Sequence, residues 1–173
     1  MTERLPTDYS MPENNNSKYL RISEDPQEFR ILTSPIIGWE YFRVDGDRVS
    51  PVRQKEAFTE IPTDSKDDSK PKEFWAFVIW NHTLWCIQVA EITQASIKKE
   101  ILKYVQDADN RGDPKKYDFR ISRSGKGKET RYSLTALPKS KFDWESDEAS
   151  AFDLAKWINL DALYDWDDPF KPF

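Results

Sequence analysis

Few residues in this chain could support covalent or metal chemistry. There is one cysteine, Cys86, and one histidine, His82, in 173 residues. A Cys/His zinc site needs about four ligands at set spacings, so those two residue types cannot build one here. A lone cysteine also excludes an intrachain disulfide and fits a reducing compartment. A Ser-His-Asp or Cys-His unit would have to use His82, which sits in Asn81-His82-Thr83 between two aromatic runs and reads as a turn histidine. Carboxylates are plentiful enough for a metal-dependent nuclease. They concentrate in loops and in the C-terminal stretch, however, where ligands would not be held to the required geometry. The expectation is a non-catalytic protein without metal or cofactor.

Rings and cations suggest a different chemistry. The chain holds seven Trp, seven Tyr and ten Phe, far too many for a disordered polymer, beside 33% charged residues. Lys115, Lys116, Arg120, Arg123, Lys126, Lys128, Arg131 and Lys139 face only Asp118 and Glu129 between positions 115 and 139. From Lys141 to Phe173 the balance reverses, with nine acids against three bases, so the net charge of -5 averages a neutral body with an acidic end. Basic residues beside aromatic strands are what single-stranded nucleic acid requires: cations neutralise phosphates, and rings take bases of any sequence.

The elements that would position these groups are mostly strands. Residues 1–17 read as a loose arm. Short strands are expected at Lys18–Ile22 and Gln27–Thr33, a longer one at Ile36–Arg43, and a mobile loop at 62–72. The clearest hairpin joins Glu73–Trp80 to Leu84–Ala90. Thr93 can cap a helix running to about Asp109, with Ile97, Ile101, Leu102, Val105 and Ala108 on one face. A second hairpin alternates Tyr117, Phe119 and Ile121 outward and Tyr132, Leu134 and Ala136 back, around Gly125-Lys126-Gly127. That segment lacks the spacing and following helix of a triphosphate-binding loop. Three strands, a helix and two strands form the element order of an OB-fold: a mainly β, five-stranded barrel with the helix between strands three and four. The barrel would span 18–140. Residues 141–173 would form a flexible acidic tail with a short helix at 149–160.

Phe74 to Trp80 is apolar on both alternating faces. Either the strand is central and covered on both sides, or one face packs the barrel while the other lies in a groove. The candidate stacking rings are Trp39, Tyr41, Trp75, Phe77, Trp80 and Phe119. The candidate phosphate contacts are Arg43, Lys72, Arg120, Arg123, Lys126, Lys128 and Arg131. At the end of the chain, Asp165, Trp166, Asp167, Asp168, Pro169, Phe170, Pro172 and Phe173 combine acid with Pro-Phe, which suits a basic groove with an apolar pocket. The same segment could lie across the protein's own cationic groove and compete with a nucleic acid.

Asp167-Asp168-Pro169-Phe170 with terminal Pro172-Phe173 resembles the acidic, Pro-Phe-ending tip of bacterial single-stranded DNA-binding proteins, although Lys171 interrupts it. Residues 18–138 resemble tailed-phage proteins related to phage single-stranded DNA-binding proteins. The matching stretches are FRILTSPIIGWEYF (29–42), KPKEFWAFVIWN (70–81), IQVAEITQASI (87–97) and YDFRISRSGKGKETRYSLTALP (117–138). The resemblance implies an OB-fold that coats single-stranded DNA during phage replication, recombination or repair in the cytoplasm of the infected bacterium, with the tail recruiting partner proteins. Phage proteins of this kind often carry a structural zinc that this chain cannot ligate. The alternative is an interaction or inhibitor protein whose acidic tail mimics DNA, or such a tip, to capture a host protein. No apolar run approaches the ~18 residues of a membrane span, so no membrane partner is expected. Weak self-association is left open.

Overall fold

The computed structural model describes residues 18–106, 114–137 and 147–171. The chain is mainly β. Seven strands make one antiparallel sheet: β1 (Gln27–Ile31), β2 (Ile36–Asp45), β3 (Arg48–Gln54), β4 (Lys72–Asn81), β5 (Cys86–Ile92), β6 (Asp118–Ser124) and β7 (Arg131–Ala136). Helix α1 (Ala95–Val105) follows β5, and α2 (Asp147–Ala155) begins the C-terminal segment.

β4 is the hub because its sequence is apolar at nearly every position and can be covered on both faces. One edge pairs with β5 along Trp75–Asn81. The other is shared by β2, which pairs with Lys72–Ala76, and β1, which pairs with Ile79–Asn81. Pro35 breaks the strand between β1 and β2. The gap in the ladder is filled at Val78, whose carbonyl accepts from the Leu32 N–H and whose own N–H donates to Thr33 Oγ1. β1 also pairs with β6, and β6 with β7. Among the described residues no backbone pairing joins β7 to β5, so the sheet is not closed; α1 packs against β7.

Alternation along β4 creates two cores. On the inner face Trp75, Phe77 and Ile79 pack with Phe29, Phe119, Ile121 and Leu134, beneath Ile97 and Ile101 of α1. On the outer face Phe74, Ala76 and Val78 pack with Val89 beneath Ala151, Ala155, Leu160 and Leu163. Complete burial of each Val, Leu, Ile or Phe among these contributes about 1.5–3 kcal/mol, and of each Ala less. A buried ion pair, Arg30 Nε to Asp118 Oδ1 at 2.8 Å, ties β1 to β6, and His82 Nε2 lies 3.0 Å from the same oxygen. His82 thus anchors the end of the β4–β5 hairpin.

Several expectations are corrected. The sheet has seven strands, not five. The expected strands at Gln27–Thr33 and Ile36–Arg43 are present as β1 and β2, but β3 was not foreseen. Lys18–Ile22 contributes only an isolated bridge, Tyr19 to Val89. In α1 the N-cap is Gln94 rather than Thr93, and no side chain caps it; residues 107–109 of the expected helix lie outside the described residues. The 62–72 loop is fastened to β2 through the Val44 N–H to the Asp64 carbonyl and a bridge from Arg43 to Ser65. The tail expected to be flexible is, over residues 147–171, folded against the sheet. Its alanines and leucines at 151, 155, 160 and 163 supply an apolar stripe that its acidic composition masks.

Candidate nucleic-acid interface

The β6–β7 hairpin ends in a compact tip. Gly125 has φ +77°, a left-handed backbone, and a Cβ there would run into the Glu129 carbonyl; glycine is required. Arg123, Lys126, Lys128 and Arg131 are all exposed at this tip. Among the described residues none of the four is in an ion pair. Arg120, lower on β6, is exposed but bound to Glu28 at 2.8 Å. Arg43 and Lys72 are exposed near the end of β4 remote from its pairing with β1, so they do not join the tip cluster.

The ring candidates divide sharply. Phe77 and Phe119 are 2% and 0% exposed, and Trp75 is 9% exposed with its indole N–H donating to Glu73 Oε1 at 2.9 Å. These three belong to the inner core and cannot present a face to a base. Their alternation matched a groove wall, but β4 is flanked on both edges and covered on both faces. Trp39 and Tyr41 are half-buried on the same side of the sheet as Trp75, opposite Gln54 and Val52, with Tyr41 edge-on to Phe58 at 5.2 Å. Trp80 is half-buried on the outer face, edge-on to Trp85 at 5.9 Å. Trp85 was not singled out in the sequence, yet it is 65% exposed and holds a left-handed φ of +53°. A bulky residue in that conformation is strained. Its place in an apolar run gave no hint of this.

The outer face of β4–β5 is where the C-terminal segment lies. Gly38 makes the fit feasible: a Cβ there would meet Phe74 and Tyr164 ring carbons at 2.7 Å. The Tyr164 hydroxyl donates to the Ile37 carbonyl at 2.6 Å. A 3-10 turn over Leu160–Asp165 ends at Trp166, whose φ is +59°. Pro169 is buried, its carbonyl accepting from the Asn159 N–H at 2.9 Å. Phe170 meets Tyr19 edge-on, and Lys18 Nζ pairs with Asp168 Oδ2 at 2.7 Å. Asp165 is exposed; Pro172 and Phe173 lie outside the described residues.

At the centre of this contact is Arg53, which the sequence gave no reason to single out because β3 itself was not foreseen. Its guanidinium carbon lies 4.5 Å from the Phe74 ring centroid and 4.0 Å from that of Trp166. Its edge donates to Glu91 Oε1 and Oε2 at 3.1 and 2.8 Å and to Glu40 Oε2 at 2.9 Å. Burial works to lower the Arg53 pKa, but the hydrogen bonds and charges of Glu91 and Glu40 outweigh it, so the shift is upward and the cation is secure. The Cys86 thiol is pushed up by burial, which makes it a poor nucleophile. Among the described residues no three His, Cys, Asp or Glu side chains are grouped to hold a metal ion, and no helix is long and apolar enough to cross a membrane.

Comparison of the chain with protein-family profiles, with curated proteins and with solved structures finds no match.

Proposed function

We propose that the chain is a sequence-tolerant, non-catalytic single-stranded DNA-binding protein acting in phage DNA replication, recombination or repair. The observation that carries this is the β6–β7 tip. Four exposed cations on a glycine-formed hairpin have no carboxylate partner among the described residues, in a protein that is acidic overall. Cations left unpaired beside many anions are available for phosphate.

The strand order supports the same reading. Taken as one interrupted strand, β1 and β2 pair with β4, which leads to β5, α1, β6 and β7; β6 returns to β1. We read this order as that of an OB-fold, with β3 as an excursion between strands one and two and the β5–β7 seam left open. In that fold, the face of strands two and three and the loops after strands one and four hold oligonucleotides. Here the equivalents are the outer face of β4–β5, the β2–β3 excursion and the cationic tip. The C-terminal segment covers that face, so recruitment of partner proteins by its end requires the stretch after Leu163 to leave the sheet.

The test is binding of labelled oligo-dT and of duplex of equal length, followed by anisotropy at two salt concentrations. Oligo-dT is expected to bind more tightly than duplex, with a log-log salt slope of about -0.7 per phosphate contact. Replacing Lys126 and Lys128 together by Glu should weaken binding and flatten the slope by about 1.4. Equal affinity for duplex, or no change in the double variant, would overturn the proposal.

A further inference from the structure

The Arg53 guanidinium donates one hydrogen bond from each of its three nitrogens, Nε to Glu40 and Nη1 and Nη2 to Glu91. Both of its two-pronged edges are thereby engaged, so it cannot make the bidentate phosphate contact that arginine usually offers, and its flat faces are left for stacking. The Phe74 and Trp166 ring centroids lie 4.5 and 4.0 Å from its Cζ, and Trp166 is 46% exposed. A guanidinium plane backed by a ring and locked at its edge is a stacking surface for a second flat, weakly polar ring, and nucleobases stack on arginine planes in this manner.

We propose that Arg53 and Phe74 form a base-stacking platform, and that Trp166 occupies the position of a nucleobase. This rests on the single-strand-binding reading above. Leu160 and Leu163 remain in the outer core, and the exchange involves only the stretch after Leu163. That stretch is held by Trp166 on Arg53, by the Tyr164 hydroxyl on the Ile37 carbonyl and by Phe170 against Tyr19. The Pro169 carbonyl on the Asn159 N–H and the Lys18–Asp168 pair, whose lysine is 56% exposed, hold it too, and all of these are given up in the exchange. A cavity of 270 Å³, bounded by Tyr19, Arg53, Glu91, Leu163, Trp166 and Asp167, already opens beside the stacked indole. Its walls offer the Tyr19 ring for a neighbouring base. The platform is sequence-tolerant because every base presents a π-face.

The experiment compares oligo-dT affinity of the full chain with that of Trp166→Ala and Trp166→Phe, by anisotropy of a labelled strand at one salt concentration. Removing the indole should tighten binding about tenfold, the scale of one stacked base, while the phenyl ring should leave it near the starting value. Arg53→Lys placed in the Trp166→Ala chain keeps the charge but removes the plane, and should abolish the gain. Near-UV circular dichroism checks that each variant retains its packing. If the full chain binds oligo-dT in a Lys126- and Lys128-dependent way but Trp166→Ala binds no more tightly, the platform is overturned and the single-strand reading survives. If neither the full chain nor Trp166→Ala binds, both are overturned.

Discussion

Both faces of β4 are apolar, but the chain closes them by different means. Over Trp75, Phe77 and Ile79 lie the side chains of β1, β6, β7 and α1, almost all hydrocarbon. Over Phe74, Ala76 and Val78 lies a late, acidic segment. It contributes four aliphatic anchors, Ala151, Ala155, Leu160 and Leu163, and then a rim of mixed contacts: the Tyr164 ring on Phe74 with its hydroxyl on the Ile37 carbonyl, Trp166 on Arg53, Phe170 on Tyr19, and Asp168 with Lys18. A hydrocarbon contact in a close-packed interior is lost only with the packing itself. A rim contact at the surface can be exchanged for an equivalent one made by a ligand. The inner face is therefore the part that specifies the fold, and the edge of the outer face is the part that can change hands.

The largest expected effect tests this division directly. Phe77→Ala should destabilise the protein by about 3–5 kcal/mol, since it leaves a cavity among residues that cannot collapse into it. Tyr164→Phe removes one hydrogen bond at the rim and should cost about 0.5–1.5 kcal/mol. Urea unfolding followed by far-UV circular dichroism measures both. Equal costs would mean that the rim is as integral as the core.

This asymmetry also explains what the sequence made legible. The β4–β5 and β6–β7 hairpins are visible because alternation and turn residues agree, and their observed ends lie within a few residues of those expected. The split at Pro35 follows from a residue that cannot donate to a ladder, yet nothing local says that β1 and β2 both continue along β4. β3 was missed because Arg48-Val49-Ser50-Pro51-Val52-Arg53-Gln54 is an edge strand with a proline and little apolar alternation. The tip cations were legible from charge density alone. The rings were not: alternation assigns Trp75, Phe77 and Phe119 to one side of a strand but cannot say whether that side is covered. Arg53 acquires its role only from Glu40, Phe74, Glu91 and Trp166, all at least thirteen positions distant in the chain.

A middle-sized effect is expected from Gly38→Ala. The added methyl meets Phe74 on one side and Tyr164 on the other at 2.7 Å. Phe74 is fully buried and cannot retreat, so Tyr164 must move. Overpacking of this kind costs about 1–3 kcal/mol. The sharper readout is local: amide exchange over Leu160–Trp166 should accelerate more than exchange in β6. Uniform acceleration across the sheet would show that the segment and the core open together, and the distinction between the two faces would fail.

The smallest effect is electrostatic and concerns the last turn. Lys18 and the Phe170 N–H hold the Asp168 carboxyl below the usual range. The Asp168 N–H and Lys171 do the same for Asp167. A carboxyl whose folded pKa is depressed contributes stability above its unfolded value, about 3.9, and loses it as pH falls through the lower folded value. From pH 7 down to about 5, then, the terminal stretch should stay in place, and acidification below about 4 should loosen it. Asp167 is exposed and Asp168 half-buried at the surface, so salt should weaken the same contacts at neutral pH. Acrylamide quenching of tryptophan fluorescence reads the change, because Trp166, stacked near Arg53, directly precedes these carboxylates in the chain. Asp168→Asn should show part of the increased quenching already at pH 7 and a shallower rise on acidification. If the two proteins have identical, flat profiles to pH 3, these carboxylates do not hold the segment, and the rim is held by its uncharged contacts and by Trp166 on Arg53.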